Sequence, residues 1–172
     1  MSRRQGERRS GGLVRAAGVL ACAAMLLPLA PTSADTAAAA DPTAERAAIE
    51  RVVIDAYVDG VHNFRDPAAM RRGFHPDFEM LVLRDGKLVK VPLAKWIEGM
   101  EARNLKEPPP AASPDAPRAT TAKFAAVEIA GSAATCKVEI WRGGKQIFTD
   151  FLALYRFEDG WRIVGKTFFS HA

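Results

Sequence analysis

Cysteine is almost missing: Cys22 and Cys136 are the only two in 172 residues. Cys22 sits in an expected leader, so the mature chain would keep Cys136 alone. That excludes an internal disulfide and a cysteine-built metal site, and the domain must hold itself together by its core. No Gly-rich phosphate loop, Ser-His-Asp order or metal-ligand spacing is present, so neither a metal nor a cofactor is expected. Residues 41–172 also lack an internal repeat or a low-complexity tract. They lack an excess of one charge as well, holding 19 basic and 18 acidic side chains. A near-neutral domain has no electrostatic footprint for nucleic acid, and no nucleic-acid partner is expected.

The first 40 residues have a different composition. Arg3, Arg4, Arg8, Arg9 and Arg15 stand against Glu7 and Asp35, which gives +3 of the total +4. An apolar run, "AAGVLACAAMLLPLA" (16–30), follows, then small residues through "TSAD" and "AAAAD". A basic start, a short apolar run and small residues read as an export signal, cleaved after Ala34 or Ala40, with an uncleaved membrane anchor as the alternative. The mature domain would then be periplasmic or secreted, with no membrane contact. Lipidation at Cys22 in "VLAC" is the weaker alternative, because the apolar run continues past that cysteine. Twin-arginine export lacks the apolar pair and lysine after its arginines.

From Asp41 the pattern is helical. Asp41 is a candidate N-cap with Pro42 at the first helical position. Ile49, Val52, Val53, Ala56, Tyr57, Gly60 and Phe64 then form one apolar stripe, which predicts a helix over 42–64. "DPAAMRRGF" (66–74) predicts a second, short helix. "HPDFEMLVLRDGKLVKVP" (75–92) reads as a hairpin about Asp85-Gly86. "LAKWIEGMEAR" (93–103) predicts a third helix. Five prolines make 106–117 a stiff loop. Four strands follow, 118–130, 135–142, 145–157 and 161–171, with turn signals at Gly143-Gly144 and Asp159-Gly160. The order predicts an α+β domain over 41–172.

Asp150, in "IFTDFLAL", is the conspicuous residue. Two-residue turns place it opposite Lys137 on one side and Phe169 on the other. Its face then holds Trp141, Phe148, Leu152, Leu154, Ile163, Thr167 and Phe169, with Lys166 on the opposite face. Asp150 is either an exposed cross-strand partner of Lys137, or a buried carboxyl that needs a partner for its charge. Tyr57, Phe64 and Trp96 line a ligand cavity or belong to an ordinary core. His75, held extended by Pro76, is an acid or base at a cavity mouth or a structural hydrogen-bonder. His62 is expected at a helix end, and His171 lies at the terminus.

"FHPDFEM" (74–80), the following "DGKL", "PLAKW" (92–96) and "TDFLALYRFEDGWRIVGKTF" (149–168) resemble the nuclear transport factor 2-like superfamily. Within it, the similarity is to the bacterial family labelled putative lumazine-binding, over about 125 residues. The resemblance implies a cone: three N-terminal helices in a curved antiparallel sheet of about six strands, with an apolar cavity at the open end. It also implies homodimerisation through the outer face of the sheet. Enzymes on this scaffold, ketosteroid isomerase among them, use carboxyls in an apolar cavity.

Three functions remain open. One is an exported, non-catalytic domain that binds a small apolar or aromatic molecule, with Tyr57, Phe64, Phe78, Met80, Trp96, Phe148, Asp150, Leu152 and Phe169 as pocket residues. Another is an isomerase- or dehydratase-like enzyme using Asp150 with His75. The third is a dimeric interaction module whose cavity is filled by its own side chains.

Overall fold

Two aspartate–proline pairs start helices. Asp41 Oδ1 accepts a 2.9 Å hydrogen bond from the Thr43 N–H, ahead of α1 (Pro42–Val52). Asp66 Oδ1 likewise accepts 2.8 Å from the Ala68 N–H, ahead of α2 (Pro67–Gly73). In both, a carboxylate satisfies an N–H that the first turn leaves free, and proline occupies a position that needs no donor. The computed structural model describes residues 41–111, 115 and 117–171. The expected export signal, with Cys22, and part of the Pro-rich loop lie outside them.

The first helix changes character halfway. After Val52 it continues from Val53 to Asn63 as a π-helix, and the Phe64 N–H still reaches back five residues to the Asp59 carbonyl at 2.8 Å. Arg65, at φ 50°, then turns the chain into α2. Strand β1 (Phe74–Arg84) and β2 (Lys87–Pro92) form the hairpin, with Asp85 and Gly86 at φ 49° and 73°. Helix α3 (Leu93–Lys106) comes next. β3 (Thr120–Ala130), β4 (Ala133–Arg142), β5 (Lys145–Phe157) and β6 (Gly160–Ser170) complete the chain.

The six strands form one sheet in the order β2-β1-β6-β5-β4-β3. It is mixed, not antiparallel throughout, because β1 pairs with β6 in parallel. The three helices are not all N-terminal either: the first hairpin precedes α3. The helices pack on one face of the sheet, where Ile49, Val53 and Tyr57 meet Phe74, Phe78, Val138, Ile140, Leu152, Leu154 and Ile163. Burying a single Phe or Ile there is worth about 1.5–3 kcal/mol. Trp161 Nε1 donates to Glu45 Oε2 at 2.6 Å, tying β6 to the first helix.

Two β-bulges alter the expected register. On β5, Ile147 is the extra residue: Trp141 faces Gln146, but Ile140 faces Phe148. On β6 it is Val164: Leu154 faces Ile163, but Ala153 faces Gly165. One extra residue sends every later side chain to the other face. Asp150 therefore faces Val138, not Lys137, which is opposite Phe151. Across the other ladder Asp150 faces Phe168 rather than Phe169. Lys166 comes to the same inner face as Asp150.

Candidate functional site

Asp150 is fully buried under the first helix. The π-helical segment brings Tyr57 over it, and Tyr57 Oη donates 2.8 Å to Asp150 Oδ2. From β6, Lys166 Nζ lies 2.8 Å from Asp150 Oδ1, an ion pair whose side chains are 5% and 0% exposed. The ammonium also donates to Tyr57 Oη. Carboxylate, phenol and ammonium thus form a closed triangle inside the domain.

The walls around the ammonium are aromatic. Its nitrogen lies 4.3 Å from the centroid of Tyr57, 4.8 Å from Phe168, and 5.8 Å from both Trp96 and Phe148. Ring faces attract a desolvated cation, so they help hold a charge that burial alone would expel. Trp96 stacks on Phe78 at 5.8 Å, and Phe78 packs edge-on to Phe74 at 4.9 Å. Trp96, Phe148, Phe168 and Met80 are half-buried and form the more accessible side of the cluster.

His62 closes the ring. It meets Tyr57 edge-on at 4.9 Å and lies 6.0 Å from Phe148. Its Nε2 is enclosed and has no hydrogen-bond partner among the described residues. Asn63, next along the chain, exchanges two hydrogen bonds with the Thr120 backbone, at 3.0 and 2.9 Å, which fixes the end of the helix against β3.

Burial decides the ionisation states. Desolvation, followed by the charges of Lys166 and Arg142, pushes the His62 imidazole from 6.5 down to about 3, so it is neutral at physiological pH. Desolvation also lowers Lys166, while Asp150 opposes that shift. Tyr57 is raised well above 10.0 by burial and by the neighbouring carboxylate, which keeps its phenol protonated. Cys136 is a buried thiol pushed up to about 12, so it is no nucleophile.

Of the residues expected at a pocket, Tyr57, Phe78, Met80, Trp96, Phe148, Asp150 and Leu152 are placed on this inner side. Leu152 belongs to the packed core. Phe64 is buried elsewhere, beneath the Arg118 guanidinium at 5.4 Å. Phe169 is on the outer face and 62% exposed, because the β6 bulge turned it outward. His75 is not brought to Asp150. It stacks on Phe157 at 4.7 Å and accepts from the Asp77 N–H at 3.1 Å. Phe157 follows Asp150 by seven residues on the same strand, roughly 23 Å. The sequence reading missed Lys166 and His62 as members of the cluster. For Lys166 a signal existed: Gly165, isolated in the strand "WRIVGKTFF", marks a bulge. Among the described residues no group of His, Cys, Asp and Glu has the makings of a metal site.

Residues 44–169 match the family described as Putative lumazine-binding. No curated protein matches the chain. Solved structures do. An NTF2-like protein of unknown function from Shewanella baltica is 25% identical, with 77% of this chain and 98% of that one covered and a TM-score of 0.59. One from Silicibacter pomeroyi is 24% identical over 76% and 100%, with a TM-score of 0.56. A third, from Methylobacillus flagellatus, is 19% identical over 77% and 97%, at 0.57. These likenesses speak to the fold.

Proposed function

Because the chain belongs to the Putative lumazine-binding family of NTF2-like domains, we propose that it is an exported domain that binds a small, flat, largely apolar molecule without transforming it. The observation that carries this reading is the aromatic ring of Trp96, Phe148 and Phe168 around the buried Lys166–Asp150–Tyr57 triangle. Half-buried rings offer stacking surface, and a few fixed polar groups behind them orient a ligand. Catalysis is disfavoured by the same geometry. Asp150 is engaged by Tyr57 and Lys166, and His75, on β1, stacks on Phe157 at the far end of β5, so the isomerase-like pairing has no acid and base converging on one point.

Native mass spectrometry on protein purified from its producing cell, with denatured extracts in parallel, tests the proposal. A retained small molecule is expected, at one per chain. A clean apo species that also ignores added aromatic ligands would overturn it. That result would favour the second reading, an interaction module filled by its own side chains, which the fully buried Tyr57 and Phe78 support. Export is tested separately, by cell fractionation and the intact mass of the mature chain. Cleavage after Ala34 or Ala40 would leave the domain that the family match covers.

The outer face of the sheet is proposed to pair with a second copy of the chain. Phe151, Tyr155 and Phe169 are 50%, 51% and 62% exposed there, around a groove that includes Leu81, Ala153 and Val164.

A further inference from the structure

Two neighbouring rows of side chains cross the outer face of the sheet. In the first, Glu139 on β4 faces Thr149 on β5, and Thr149 faces Phe169 on β6. β1 runs parallel to β6 with Met80 beside Lys166, so counting on three residues sets Leu83 beside Phe169. Leu83 in turn faces Leu88 on β2. One step along the same face, the second row holds Lys137, Phe151, Thr167, Leu81 and Lys90.

The face is divided along these rows. Leu83 and Leu88 are 73% and 62% exposed and continue from Phe169 as one apolar strip over β6, β1 and β2. A contiguous strip of this kind marks an interaction surface. The β3–β4 half is charged, with Lys123 facing Glu139 and Glu128 facing Thr135. Lys137 lies over the Phe151 ring at 5.8 Å, and Glu139 accepts from Trp141 Nε1 at 3.3 Å. Neither has an ion-pair partner among the described residues. Free charges of both signs beside an apolar strip suit a self-complementary partner, not an anionic surface.

A second copy can lie on this face with its two-fold axis along the strands or across them. Along the strands, the apolar strip meets the partner's charged half. Across them, each strand lies on its own counterpart and apolar meets apolar. Charge then fixes the position. An axis on the row of Lys137, or on the row of Glu139, sets like charges against each other. An axis between the rows sets opposite charges together and Leu81 against the partner's Leu83.

We propose that the two-fold axis crosses the strands between these rows, so that Lys137 of each copy pairs with the partner's Glu139. The contact occurs twice, as two-fold symmetry requires. Aligned sheets pack about 30° from parallel, an offset that two long side chains span. The proposal rests on the outer-face pairing above, but it makes a separate claim about register.

Sedimentation equilibrium on protein purified from cells expressing the full chain tests it, with Lys137→Glu and Glu139→Lys as separate variants. Each variant sets two like-charge contacts across the axis and should weaken the dimer about tenfold. Mixed together, the two variants should form a heterodimer of nearly native affinity, since both contacts then join opposite charges. No single chain carries the repair, so a loss of fold in either variant cannot produce it. Salt at about 1 M should narrow all these differences. If neither variant weakens the dimer, or if mixing restores nothing, the register is overturned and the face stands. A monomeric wild type, or a dimer that Phe151→Glu with Phe169→Glu leaves intact, removes the face pairing and this inference with it.

Discussion

Lys166 Nζ lies 2.8 Å from Asp150 Oδ1, yet the two are not direct partners across the β5–β6 ladder. Lys166 faces Leu152 and Asp150 faces Phe168. They are diagonal neighbours on the inner face, separated by a step that only a long side chain bridges. The lysine stem covers that distance while its head meets carboxylate, phenol and ring faces together.

Breaking this pair from one side should cost far more than removing it whole. Lys166→Met leaves a carboxylate among aromatic rings without its counter-charge, a loss of about 3–5 kcal/mol. Asp150→Leu combined with Lys166→Met should recover much of that, because no isolated charge is left behind. Urea unfolding of both single variants and the double variant closes the cycle. Additive losses would mean that the two groups do not act as a unit.

His62 makes stability depend on acid. Its folded value, about 3, is below its unfolded value of 6.5. The unfolded chain binds the proton first, so this contribution is complete above pH 6.5 and is lost as pH falls toward 3. At 1.36 kcal/mol per unit the loss reaches roughly 5 kcal/mol at the lower end. His62→Phe should flatten the slope between pH 6.5 and 3 in denaturation series. An unchanged slope would assign it to carboxylates instead.

Gly73 tests the packing that holds the π-helical segment. A Cβ at that position would stand 2.3 Å from Ala56 Cβ, closer than two carbons tolerate. Gly73→Ala should cost about 1–3 kcal/mol in urea unfolding. Ala56→Gly in the same chain should restore part of it by removing the opposing methyl.

The outer sheet face should set the oligomeric state. Phe151→Glu with Phe169→Glu places two carboxylates where aromatic rings are exposed. Light scattering should then report a monomer in place of a dimer, with little change in thermal midpoint because neither ring is in the core. A wild-type monomer would remove the dimer from the proposal.

Most of the architecture was legible in the chain. Asp41-Pro42 and Asp66-Pro67 announced two helix starts, and Asp85-Gly86, Gly143-Gly144 and Asp159-Gly160 announced the turns. Asp150 stood out because a carboxyl amid apolar residues demands a reason. Its partners did not stand out, since strand parity was counted outward from ideal turns and two bulges each changed the count by one. Val138 and Ile140 held the hint: both are apolar, and both belong on the inner face only if the count is shifted. His62 was hidden for another reason. A stripe laid out at 3.6 residues per turn does not apply to residues 53–63.

That departure from the α-helix has a consequence for insertions and deletions. In an α-helix, residues five apart are turned about 140° from one another, whereas i→i+5 bonding stacks them nearly one above the other. Tyr57 and His62 are five apart, and they share one side of the chain because the segment is wound wide. Deleting one residue between them would let the helix relax to the tighter winding and would break this i→i+5 spacing. In the tighter winding the imidazole, then four residues from the phenol, would again stand on its side of the chain, so the wide winding is what accommodates the extra residue between the two rings.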